Sequence, residues 1–194
     1  TPATVPYTQT FEDNDADRAN WVLVNGNEAN YFMYGNTPGS TTGKALIITN
    51  NGSANQYLTQ VGENLTSHYS TVWAYRDLQF PETTAPAFML TLNWKCFGEV
   101  DYDFGEMFIG NATEVTNFER NENIPGFVDV NTTHYTPAGL TNLGRFVGKS
   151  TMQNGAYLIP AEGISGQVKR LYFLWTNDSL SGAETPLAID NINI

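Results

Sequence analysis

Cysteine is nearly absent: the 194-residue chain has one, Cys96. A single thiol excludes a disulfide framework within the chain and a cysteine-built zinc site. Histidine is almost as scarce, with only His68 and His134. Positive charge is also in short supply. Nine Lys and Arg stand against 20 Asp and Glu, a formal charge of −11. Such a surface repels phosphate backbones, which argues against nucleic-acid partners, and repels anionic membranes for the same reason. It attracts divalent cations and steers basic partners. No stretch approaches the ~18 consecutive apolar residues of a membrane span, so direct membrane insertion is not expected. No signal peptide is visible at the start.

Catalytic signatures are missing too. There is no Gly-x-Ser-x-Gly elbow, no His-Glu-x-x-His, no phosphate loop and no Gly-x-Gly-x-x-Gly. A dyad of Cys96 with a histidine is formally available. However, Cys96 falls on the alternation face of Leu92 and Trp94, where a thiol packs as a small hydrophobe. Paired carboxylates of the glycosidase kind arise in any acidic β-protein and decide nothing. The chain therefore reads as a non-enzyme.

What is present is a folded, β-rich chain. Aromatics make up 13% and charged residues only 15%, the opposite of a disordered composition. No long amphipathic helical pattern survives its Gly, Pro and Asn. Short β-rich runs recur between turn signals instead. Trp21-Val22-Leu23-Val24 precedes Asn25-Gly26-Asn27, and Ala45-Leu46-Ile47-Ile48-Thr49 precedes Asn50-Asn51-Gly52. A further strand covers 71–80 and stops at Pro81. Over 88–97 the alternation is cleanest, with Phe88, Leu90, Leu92, Trp94 and Cys96 on one face. Segments 106–109, 156–159, 169–176 and 187–194 bring the total to about eight or nine strands, as in a sandwich. Leu171-Tyr172-Phe173-Leu174-Trp175 is apolar on both faces, so that strand belongs at a sheet centre, with a loop over its outer side. Stretches 35–43 and 113–126 read as long loops. With no repeat and no linker, residues 1–194 read as one domain. The Pro-rich opening and the strand-like end suggest a piece of a longer protein.

Acidic residues cluster. Asp13-Asn14-Asp15-Ala16-Asp17 puts a carboxylate at every second position, a spacing that can wrap calcium. It is not an EF-hand, because Arg18 and Val24 stand where Gly and the bidentate Glu are needed. A solvated acidic loop is the alternative. A second cluster runs through Glu99, Asp101, Asp103 and Glu106. Asp190 stands alone among apolar strand residues, where a carboxylate needs a hydrogen-bond partner or a cation.

Several motifs, in order along nearly the whole chain, carry a family resemblance. They are Tyr7-Thr8-Gln9-Thr10-Phe11-Glu12-Asp13 with Asn20-Trp21; Tyr75-Arg76-Asp77-Leu78; and Trp94-Lys95 with Gly98-Glu99 and Asp101-Tyr102. Then come Lys169-Arg170-Leu171-Tyr172-Phe173-Leu174-Trp175-Thr176-Asn177-Asp178 and Pro186-Leu187-Ala188-Ile189-Asp190-Asn191-Ile192. Together they resemble the choice-of-anchor J and cleaved-adhesin domains, MAM-like jelly rolls of Bacteroidetes surface proteins. The resemblance implies a two-sheet antiparallel jelly-roll sandwich with the first and last strands side by side, and an extracellular or cell-surface address. It implies a structural calcium held by Glu12, Asp190 and one of Asp101 or Asp103, with Asp13, Asp15 and Asp17 as second choice.

Three functions are compatible with this. The first is an adhesion module for a host glycan or a host or matrix protein, working beside other domains of its own chain. The second is a carbohydrate-binding module serving a glycoside hydrolase. For this, Tyr31, Phe32 and Tyr34 in a Gly/Asn-rich neighbourhood, or Trp73 and Tyr75, would be the aromatic platforms; packing is the alternative for each. The third is an unrecognised hydrolase. Asp178-Ser179-Leu180 also resembles a short O-glycosylation acceptor of exported Bacteroidetes proteins. Asn64, Asn111 and Asn131 open Asn-x-Ser/Thr sequons, which matter only in a eukaryotic host.

Overall fold

The computed structural model describes residues 1–37, 43–61, 66–67, 70–115, 118, 136–179 and 185–194. His68, His134, Asn64, Asn131, Leu180 and most of the 113–126 stretch lie outside them. The described elements are β1 (Ala3–Thr4), β2 (Thr8–Gln9), a 3-10 turn (Ala16–Asn20), β3 (Val22–Val24), β4 (Tyr31–Asn36), β5 (Lys44–Thr49), β6 (Gln60–Val61) and β7 (Thr66–Ser67). They continue with β8 (Ser70–Gln79), β9 (Ala87–Cys96), β10 (Phe104–Gly110), β11 (Thr141–Phe146), β12 (Lys149–Pro160), β13 (Val168–Asn177) and β14 (Ala188–Asn193).

Two six-stranded sheets form a jelly-roll sandwich. The first runs β1-β8-β13-β10-β11, with β3 also on β8; the second runs β12-β9-β14-β5-β4, with β2 on β14. Most pairs are antiparallel, while β1 joins β8 in parallel. The early strand β2 and the last strand β14 are neighbours, with Gln9 opposite Ile192.

Side-chain alternation explains the packing. On β9, Leu90, Leu92 and Cys96 point into the core, with Phe88 and Trp94 packed against it. Opposite them, Leu171, Phe173 and Trp175 of β13 fill the same core. Burying a side chain of this size stabilises by roughly 1.5–3 kcal/mol relative to leaving it in water. β13 sits at the centre of its sheet, as its doubly apolar sequence requires. Its other face, Tyr172 and Leu174, packs with Trp73 and Phe108 beneath Val115, Leu140 and Phe118.

Candidate binding face and acidic cluster

The alternating acidic run at 13–17 is spent on protein contacts. Asp15 caps the 3-10 turn, accepting from the Asp17 amide at 3.1 Å and the Thr10 amide at 3.0 Å. Asp17 accepts from Arg76 and from the Tyr7 hydroxyl at 2.7 Å. Exposed Asp13 pairs with Arg18 at 2.8 Å and Lys44 at 3.3 Å, and these cations hold its carboxyl below the usual range. The three carboxylates thus answer cations and amides around them, rather than one another.

The acidic residues that do converge are Glu99, Asp103 and Asp178. Their oxygens lie within 4.8 Å of one another, the single such group of three among the described residues, and it can hold a metal ion. Neither Glu12, Asp190 nor Asp101 belongs to it; of the expected ligands, Asp103 does. The physical reason is topological. Glu99 and Asp103 bracket the turn between β9 and β10, closed by the Asp103 amide on the Glu99 carbonyl at 2.7 Å. Asp178 directly follows β13, which pairs with β10. Glu12 instead accepts from the Lys44 amide at 2.9 Å, and Asp190 from the Asn191 amide at 2.8 Å.

Asp103 is fully buried. It accepts from the Tyr57 hydroxyl at 2.6 Å and the Asp178 amide at 2.9 Å. Burial nevertheless pushes its carboxyl up to about 7. Gly98 permits the tight turn, since a Cβ there would sit 2.2 Å from the Asp103 carbonyl oxygen. Asp178 stands 75 residues from Asp103 along the chain, so no local pattern joins the two.

The aromatic candidates separate by burial. Phe32 (1% exposed) and Trp73 (3%) are core residues, which removes them as platforms. Tyr34 stacks on Phe11 at 5.8 Å, and its hydroxyl donates to the Arg18 carbonyl at 3.0 Å. Tyr75 lies between Phe118, stacked at 5.7 Å, and the Arg170 guanidinium at 3.8 Å. Tyr31 is half-buried on the edge strand β4, opposite Thr49. Cys96 is buried, and desolvation pushes its thiol up to about 12, so it is no nucleophile.

A different feature dominates the open face of the second sheet. Three asparagines from the adjacent strands β12, β9 and β14 form a hydrogen-bonded row. Asn93 donates to Asn154 Oδ1 at 2.5 Å, and Asn191 donates to Asn93 Oδ1 at 2.9 Å. The β14–β9 register shifts between Asp190 and Asn193, and Asn191 takes a φ of 50° there. Asparagine tolerates this left-handed conformation, and the bulge re-aims its side chain. Thr91 and Ala156 join the row to line a groove of about 360 Å³. Beyond it on the same face stand Met89 (53% exposed) and its cross-strand partner Leu158 (63%). Within the row, Asn154 serves as acceptor, and its two N–H donors have no protein partner among the described residues. Alternation places Asn93 outward, but only the topology shows that Asn154 and Asn191 flank it.

No family model and no curated protein matches the sequence. Solved structures do match in fold. The K1 cleaved adhesin domain of Lys-gingipain from Porphyromonas gingivalis W83 superposes with a TM-score of 0.54 at 10% identity, covering 96% of this chain and 95% of that one. A structure described as showing the promiscuous specificity of carbohydrate-binding modules from the β-sandwich superfamily gives a TM-score of 0.50 at 7% identity, covering 100% of this chain and 62% of that one. The shared property is architectural: this chain has the jelly-roll sandwich found in cleaved adhesin domains and carbohydrate-binding modules.

Proposed function

We propose that this chain is a non-catalytic binding module that takes a neutral glycan on the open face of the β12–β9–β14 sheet. The asparagine row Asn154–Asn93–Asn191 carries the reading. Sugar hydroxyls donate and accept, as side-chain amides do. Convergent polar groups beside an apolar surface are the usual make-up of a small-molecule site. Met89 and Leu158 supply the apolar surface for the C–H side of a sugar ring. The site belongs to a single domain of a longer protein, exported to the bacterial surface or medium and related to the choice-of-anchor J and cleaved-adhesin modules. Calcium at Glu99, Asp103 and Asp178 is its structural cofactor: three hard carboxylate ligands suit that ion, and a cation there would offset the cost of burying Asp103.

A glycan and matrix-protein array probed with the purified chain in calcium tests this. A specific glycan signal that Asn93→Ala and Asn154→Ala each reduce at least tenfold, with unchanged melting, is the expected result. A signal from matrix proteins alone would replace this reading by protein adhesion. Silence across the array would overturn binding at this face.

A further inference from the structure

The asparagine row has a direction. Asn191 of β14 donates to Asn93 of β9 at 2.9 Å, and Asn93 donates to Asn154 of β12 at 2.5 Å. Each side-chain amide hands its N–H to the next in the same sense, and aligned bonds of this kind polarise one another. The row ends on Asn154, an exposed residue. Its Oδ1 is taken by Asn93, while both hydrogens of its Nδ2 have no protein partner among the described residues. At its β12 end the row therefore offers N–H donors.

Strand register fixes what lies beside those donors. On the outward side of β12 and β9, Asn154 faces Asn93, Ala156 faces Thr91 and Leu158 faces Met89. Successive rows stand roughly 7 Å apart, two residues along a strand. Moving along β12 from Asn154, the surface passes to the Ala156 methyl beside the Thr91 hydroxyl. It then reaches the exposed Leu158 and Met89. A donor, a small apolar floor and a larger apolar shelf thus follow one another, and Asn154, Ala156 and Thr91 line the same groove.

We propose that this groove takes a 2-acetamido sugar, an N-acetylated hexosamine, by its acetamido group; this rests on the glycan reading above and narrows it. The acetamido carbonyl carries two lone pairs and no hydrogen, so it accepts from Asn154 Nδ2 with no proton of its own to place. Its methyl lies over Ala156 toward Leu158, out of water. The acetamido N–H finds an acceptor in the Thr91 hydroxyl, across from Ala156. A ring hydroxyl can accept from Asn154 too, but it brings no methyl to the apolar floor. A uronate carboxylate also accepts without donating, but it lacks the methyl and carries a negative charge to a protein of −11.

Titration calorimetry with matched ligands tests this. The pairs differ only at the 2-position: β-1,4 tetramers of N-acetylglucosamine and of glucose, and methyl glycosides of N-acetylgalactosamine and of galactose. At least one acetylated ligand should bind at least tenfold more tightly than its hydroxyl counterpart. Its acetyl methyl protons should receive the strongest saturation transfer from the protein. Asn154→Asp should erase that preference with circular dichroism unchanged. The new carboxylate still accepts from Asn93, so the row survives, but it offers no N–H to a carbonyl. Equal affinity within each pair, with binding still lost in Asn93→Ala, would overturn the acetamido inference and leave the glycan reading standing. So would a preference that Asn154→Asp retains, or tighter binding of a glucuronate-bearing glycan. No binding of any glycan would overturn the glycan reading, and this inference with it.

Discussion

Arg76 and Asp17 meet in a two-armed ion pair, with Nη2–Oδ1 at 2.6 Å and Nε–Oδ2 at 3.0 Å. Arg76 also donates to the Thr1 carbonyl at 2.9 Å, and Tyr7 joins Asp17 to the Trp21 indole. The pair ties the N-terminal segment and the 3-10 turn to β8. Burial alone would push the Asp17 carboxyl up, but hydrogen bonds from Arg76, Tyr7 and Asn20 outweigh it and hold the group below its ordinary value. Its contribution is therefore present above the unfolded carboxylate range, near about 4, and is lost as pH falls through the lower folded value. Asp17→Asn should cost about 2–3 kcal/mol at neutral pH, less than for a fully buried pair because Asp17 is partly exposed. Urea midpoints measured across acid pH should fall less steeply in the variant than in the parent. Parallel curves would show that the pair does not govern acid stability.

Cys96 should be chemically silent in the folded protein. It is buried, and its thiol lies near 12 because desolvation outweighs the Gly98 and Gly105 amides. A maleimide should label it only after unfolding, at the rate set by global opening. Rapid labelling of the native protein would contradict the packing described for β9.

The strands that alternate or bury both faces were legible in the sequence. β9 and β13 are the clearest cases, because their side-chain patterns state directly which faces are covered. β4 and β11 were missed. Tyr31–Asn36 and Thr141–Phe146 are edge strands whose glycines and half-buried residues weaken the period. The acidic run at 13–17 had the right spacing for a cation, yet the adjacent Arg18, and Lys44 and Arg76 from other strands, pair with Asp13 and Asp17 instead. Glu99 and Asp103 fall in an acidic stretch that the sequence shows, but Asp178 joins them only through the β10–β13 pairing, so no local pattern announces the group of three.

The aromatic residues give a sorting test. Phe32 and Trp73 are core, so Phe32→Ala and Trp73→Ala should each cost about 3–5 kcal/mol. Met89→Ala and Leu158→Ala sit at exposed positions and should change stability by less than about 0.5 kcal/mol. If the glycan reading is right, those two variants should still weaken binding. Chemical denaturation beside a binding titration separates the two effects. Binding lost only in proportion to unfolding would remove the apolar shelf from the site.

Calcium should raise the melting temperature, and the variants locate the ion. At 100 times its dissociation constant a ligand bound only by the folded state adds about 2.7 kcal/mol. For a chain of this size that corresponds to a rise of roughly 5–10 °C. Asp103→Asn should abolish most of the rise, because it removes the buried charge while its remaining carbonyl still accepts from Tyr57. Glu99→Gln and Asp178→Asn should each reduce it. Asp190→Ala should melt lower, because that side chain is buried and hydrogen-bonded to the Asn191 amide, yet keep the full response to calcium. If Asp190→Ala removes the response and Asp103→Asn keeps it, the ion sits near the last strand, as the family resemblance implied. Identical melts in calcium and in excess chelator would mean that the three carboxylates are held by protein donors alone. Asp103 would then be carried in the core by Tyr57 and the Asp178 amide, and its raised pKa would be an uncompensated cost of the fold.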